Sequence, residues 1–302
     1  MREYLFGKPD KHPETGGMKV SRRTLSAAGI ALFFALVSGG SALAQQEQDP
    51  DRIVDPRPEQ RTYIFEETGE ELPYAVYVSS KADPEEASPL VVALHGLGGD
   101  QNSMIRTVRR TVDFVEDEGY ILVAPMGYNS GGWYGIPPRQ NAGNGGGRGG
   151  AASSAVTDPA RVRELSELGV MTVLAMIEEE FNIDPNRIYL MGHSMGGAGA
   201  LYLGVKHSSR WAALAPIAPA AFSLDPDSLA SIPDMPVILV QGDADTAVPV
   251  ENTRRWAAKL EELDMTHEYL EIPGGDHGNL IGIGMPDIFA FFERHTKASR
   301  TR

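Results

Sequence analysis

The sequence predicts a single α/β domain built on a mainly parallel, doubly wound sheet that is entered through an antiparallel hairpin. Three observations carry this. Short, nearly continuous apolar runs recur at 90–94, 120–124, 188–191, 211–217, 237–240 and 268–272, as strands covered on both faces require. Stretches of helical periodicity separate most of them. Ahead of the first run, "TYIFEETGEELPYAVYVSS" (62–80) alternates apolar and polar residues around Gly69, the period of two antiparallel strands.

The elements follow in order. From Met18 the chain reads "MKVSRRTLSAAGIALFFALVSGGSALAQQ", with a basic start, an apolar run over 27–37 and Ala42-Leu43-Ala44 at its exit. That layout predicts a secretory signal peptide cleaved after Ala44, hence a secreted or periplasmic protein with no stable membrane span. The apolar run is shorter than the ~20 residues of a permanent spanning helix. Ser21-Arg22-Arg23-Thr24-Leu25 also fits twin-arginine export, and residues 1–17 read as an upstream extension. Residues 45–60 are polar and proline-bearing, a linker rather than an element. Residues 61–295 form the domain. Within it Asp158-Pro159 supplies a helix cap and a first-turn proline for a helix over 162–181, and further helices are predicted over 251–263 and 286–295. Residues 296–302 are a tail.

Composition narrows the chemistry. Residues 1–44 carry six basic and three acidic side chains, which leaves 21 basic and 38 acidic in residues 45–302, a net charge near −17. Such a surface repels polyanions, so nucleic acid is not an expected partner. The chain has no cysteine, which excludes disulfides, thiolate metal sites and a cysteine nucleophile. The glycine-rich segment 141–152 reads as a surface loop. Its G-x-G-x-x-G spacing lacks the preceding strand and following helix that dinucleotide binding needs, and no cofactor or metal is implied.

"IYLMGHSMGGAGALYL" (188–203) crowds glycines around Ser194. Alone, G-x-S-x-G has a chance expectation of roughly 0.23 in a chain of this composition. Its place between an apolar run and a helical stretch makes it a strand-to-helix nucleophile turn. A neutral serine needs a base, and that base an orienting acid; both should follow in the chain, acid first. "VILVQGDADTAVP" offers Asp243 and Asp245 at a strand end, and "IPGGDHGNL" offers His277 on a later loop. His207, His267 and His295 lie on or beside elements, and Asp276, adjacent to His277, diverges from it. A metal site at Asp243, Asp245 and His277 is a remote alternative. For an oxyanion hole, the amides of Met195 and Leu97 are the candidates, the latter in "HGLGGD" after the first buried run. His95 reads as a structural hydrogen-bonding residue.

On "LHGLGGD", "NIDPNRIYLMGHSMGG", "WAALAPIAP" and "QGDADTAVP", the chain resembles the α/β-hydrolase superfamily over 61–295. It is similar to secreted polyhydroxybutyrate depolymerase-like and feruloyl esterase-like enzymes, which are related to prolyl-oligopeptidase-type catalytic domains. The resemblance implies the α/β-hydrolase fold, favours Asp245 over Asp243, and places "GYNSGGWYG" (127–135) on the substrate cleft. Trp133, Tyr134 and His193 are then the candidate substrate contacts. The implied activity is hydrolysis of small or polymeric carboxylic esters through an acyl-enzyme. The alternatives are a peptidase on the same scaffold and a secreted binding module without catalysis.

Overall fold

The computed structural model describes residues 52–137 and 155–301. β1 (Glu59–Phe65) and β2 (Glu70–Val78) form the hairpin, with Phe65 opposite Glu70. The later strands are β3 (Ser88–Leu94), β4 (Ile121–Pro125), β5 (Ile183–His193), β6 (Leu214–Ile217), β7 (Val237–Gly242) and β8 (His267–Ile272). All join one sheet in the order β1-β2-β4-β3-β5-β6-β7-β8. β1–β2 and β2–β4 pair antiparallel, and the remaining pairings are parallel.

Both faces of this sheet are covered. Helices α2 (Pro159–Glu180), α3 (Met195–Lys206) and α4 (Val250–Glu262) pack on one side, α1 (Thr111–Glu118) and α5 (Leu280–Arg294) on the other. β3 shows why its run is unbroken. Leu90, Val92 and Leu94 point into the first core, while Val91 and Ala93 point into the second. Each larger buried side chain contributes about 1.5–3 kcal/mol by leaving water. Among the described residues no helix is long and apolar enough to cross a membrane.

Two boundaries differ from the sequence reading. α5 starts at Leu280, not at Pro286, and carries that proline in its interior. The segment 45–60 is not a tether throughout: Val54 bridges Arg106, and the Asp55 amide donates to Ile105 O at 3.0 Å. Arg57 clamps the buried Asp55 carboxylate at 2.6 Å and lowers its pKa. Glu59 and Gln60 already belong to β1. The tail forms a short 3-10 turn over Lys297–Thr301. The signal-peptide reading (1–44) and the glycine-rich loop (141–152) lie outside the described residues.

Candidate active site

β5 ends at His193 and α3 begins at Met195, so a single residue makes the turn between them. That residue, Ser194, sits at φ 58, ψ −114, a conformation that costs a non-glycine residue on the order of 1–3 kcal/mol. Backbone hydrogen bonds hold it there: its amide donates to Ile217 O at 2.9 Å, and its carbonyl accepts from Ala198 and Ala220 at 3.0 and 2.9 Å. The flanking glycines allow the approach. A Cβ on Gly196 would lie 2.3 Å from Leu94 O, and one on Gly192 would lie 2.3 Å from Gly196 O.

At the end of β7, Asp245 has a fully buried carboxylate that needs donors to remain charged. It has four. Ala247 and Val248 amides donate to Oδ1 at 2.8 and 2.9 Å, while Gln241 Nε2 and His277 Nδ1 donate to Oδ2 at 3.1 and 2.7 Å. The loop carrying His277 leaves β8 and zips onto the Asp245 turn, where the Ala244 amide donates to Gly275 O at 3.1 Å. Only glycine fits at Gly242, whose Cβ would lie 2.0 Å from Gly275 O. Asp243 is taken up elsewhere, accepting from the Gly274 amide at 2.6 Å. Asp276 accepts from the Gly278 and Asn279 amides, both at 2.9 Å. Among the described residues no three His, Cys, Asp or Glu side chains gather as a metal site.

Ser194 and His277 line the same two cavities. The larger, about 640 Å³, is mostly apolar, with Leu97, Trp133, Met195 and Phe222 in its walls. The smaller, about 230 Å³, is bounded by the 96–99 loop, Ser103, Arg106, Arg109 and His193. Leu97 and Met195 both border the larger cavity. Met195 is the first residue of α3, so its amide has no intrahelical acceptor. Among the described residues, nothing accepts from the Leu97 amide, although Gly98 and Gly99 donate to Ser130 and Gly96 carbonyls.

Two predicted substrate contacts lie away from the larger cavity. Tyr134 is fully buried, and its hydroxyl donates to His95 O at 3.0 Å. It supports the start of the Leu97 loop instead of meeting a ligand, and burial pushes its pKa well up. The positive φ at both Trp133 (56°) and Tyr134 (49°) separates the paired aromatics, leaving Trp133 alone of the two on the larger cavity. His193 is buried, and its Nε2–H donates to the His277 carbonyl at 2.7 Å. Its ring lies 4.4 Å from that of His277, centroid to centroid, so it braces the loop of His277 and borders only the smaller cavity. Burial holds its pKa well below the ordinary value, with the nearby His277 and Arg109 lowering it further. His95 is likewise depressed by burial. Its ring nitrogens face Gly96 O at 2.8 Å and Met126 O at 2.9 Å, and a neutral ring donates to one of them.

Two positions escaped the sequence reading. Gln241 is completely buried. Its Nε2 reaches Asp245 while its Oε1 accepts from Thr253 Oγ1 at 2.6 Å. A glutamine closing the apolar run "VILVQ" was the visible signal, since such a buried amide must have partners.

Similar proteins agree with this architecture. NocK of Nocardia uniformis subsp. tsuyamanensis, described as a "Putative esterase", is 26% identical over 169 residues, 55% of this chain and 42% of NocK. The crystal structure of a thermostable esterase superposes with a TM-score of 0.61 at 25% identity, covering 80% of this chain and 64% of that one. This chain therefore spans less than two thirds of either relative. The ferulic acid esterase AmCE1/Fae1A of Anaeromyces mucronatus, solved with ferulic acid, matches with a TM-score of 0.57 at 21% identity, covering 79% of this chain and 90% of that one. At that identity it speaks for the α/β-hydrolase fold alone. The family model described as "Putative esterase" matches residues 66–279, and with the serine turn and its surroundings inside that span, the chain belongs to this esterase family.

Proposed function

We propose that the protein is an exported serine hydrolase that cleaves carboxylic esters through an acyl-enzyme. Ser194 Oγ attacks the ester carbonyl, and His277 Nε2 takes the hydroxyl proton and returns it to the leaving alcohol. Asp245 holds the imidazole with its proton on Nδ1 and stabilises the imidazolium that forms. The amides of Met195 and Leu97, with the positive end of α3, stabilise the oxyanion. Water, activated by the same imidazole, then releases the acid. The observation that carries this reading is the 2.7 Å bond between His277 Nδ1 and the buried Asp245 carboxylate, beside a strained Ser194 on the same cavity. Export rests on the residue pattern of 18–44; amino-terminal sequencing of protein recovered outside the cytoplasm should begin at Gln45.

Ser194→Ala should lower turnover of a p-nitrophenyl acyl ester by several orders of magnitude, on the order of 10⁶, with the circular dichroism spectrum unchanged. A fluorophosphonate should label the parent protein one to one and the variant not at all. Equal turnover by the purified variant would refute the assignment.

A further inference from the structure

We propose that Arg163 anchors an anionic group, so that the preferred substrates are esters with an apolar body and a free carboxylate at the end away from the scissile bond. The proposal rests on the ester-hydrolase reading above and names its substrate class. Arg163 is the fifth residue of α2, half-buried, and lines the larger cavity, which among the described residues has no acidic side chain in its wall. Among the described residues it makes no hydrogen bond or ion pair. This isolation is not for want of carboxylates nearby in the chain. Glu164 is taken by Arg161 at 3.1 Å, and Glu167 by Lys206 and His207, each at 2.8 Å. Asp158 accepts from the Ala160 and Arg161 amides.

Arg163 borders a mostly apolar cavity, where a charged group is best held by a partner of opposite sign, and the carboxylates of the neighbouring turns, Asp158, Glu164 and Glu167, are committed elsewhere. The planar fork matches a carboxylate with two parallel hydrogen bonds. With net charge near −17 over residues 45–302, the surface repels anions at long range, so capturing one takes a cation inside the site. Among the described residues Arg163 is the only Lys or Arg in the cavity wall, which fits a monoanionic carboxylate better than a dianionic phosphate. The remaining walls, including Ile136, Ala220, Phe222 and Val248, suit an alkyl or aryl spacer, and about 640 Å³ is the room a ligand of ordinary size needs.

The test compares kcat/KM for mono-p-nitrophenyl adipate and suberate with that for their methyl-capped counterparts. Hexanoyl esters of a hydroxyalkanoic acid and of its methyl ester place the charge on the alcohol side. The carboxylate form should be preferred by about tenfold on one side of the ester, the size of one charge-assisted hydrogen bond. That ratio should fall towards one in Arg163→Met, recover in part in Arg163→Lys, and shrink as salt is raised. A parent ratio at or below one on both sides overturns the proposal whatever the variants do, as does a preference that survives Arg163→Met in a protein with an unchanged melting temperature. If no ester is turned over and fluorophosphonate does not react, the hydrolase reading fails instead.

Discussion

Asp245 is the carboxylate on which the site's geometry turns, and its support extends one residue further than the hydrogen bonds it accepts. Thr253 fixes Gln241, and Gln241 in turn fixes Asp245. Thr253→Val removes the hydroxyl that donates to Gln241 Oε1 in this buried pair. The variant should therefore lose about 1–3 kcal/mol in urea unfolding and show a lower kcat with KM little changed, because the imidazole is less well held. At this scale the sequence offers Ser194, Asp245 and His277 as candidates because each follows a strand end, and the structure joins His277 to Asp245 and sets Ser194 on the same cavity as His277. The coupling of Thr253 to Gln241 is not legible there, because the eleven residues between them say nothing about their approach. Nor is the burial of Tyr134 away from Trp133 legible there. It follows from two successive positive φ angles, and no side-chain pattern announces those in non-glycine residues.

Elements were legible in proportion to how completely they are buried. The strands stand out because residues facing each core must both be apolar, which leaves unbroken runs such as the one in β3. α5 was mis-started because Gly282, Gly284 and Pro286 are all poor helix formers. Packing overrides that preference: Leu280, Ile281 and Met285 are buried, and a Cβ on Gly284 would lie 2.9 Å from Val240. α5 thus sits against β7 at glycine distance. The same device joins α3 to β3 at the serine turn. Gly196→Ala would drive a methyl group into the Leu94 and His95 carbonyls, at 2.3 and 2.7 Å. It should cost about 1–3 kcal/mol or more, read as a lower thermal midpoint, and reduce ester turnover further than that loss of folded protein explains.

For the molecule as a whole, buried and half-buried histidines set the response to mild acid. Burial lowers the pKa of His193, His95 and His295 in the fold. Below the ordinary histidine value of about 6.5, the unfolded chain therefore binds protons that the native protein does not. Stability should accordingly be full above about pH 7 and decline as pH falls through 6.5. Carboxylates with lowered pKa, such as Asp55 and Glu271, act in the same direction only near and below their ordinary range around pH 4. Urea midpoints measured from pH 7.5 down to 5 should fall, and His193→Gln should flatten part of that slope. Overall charge is readable from composition, whereas the docking of residues 54–57 is not, because it depends on contacts with Ile105 and Arg106. A last consequence comes from strand order. β8 is the terminal strand of the sheet, and only Ile272 of its residues is fully buried. The imidazole hangs from the loop immediately beyond it, so the working lifetime of the site is set by fraying at this margin, where backbone opens most readily, and not by melting of the interior.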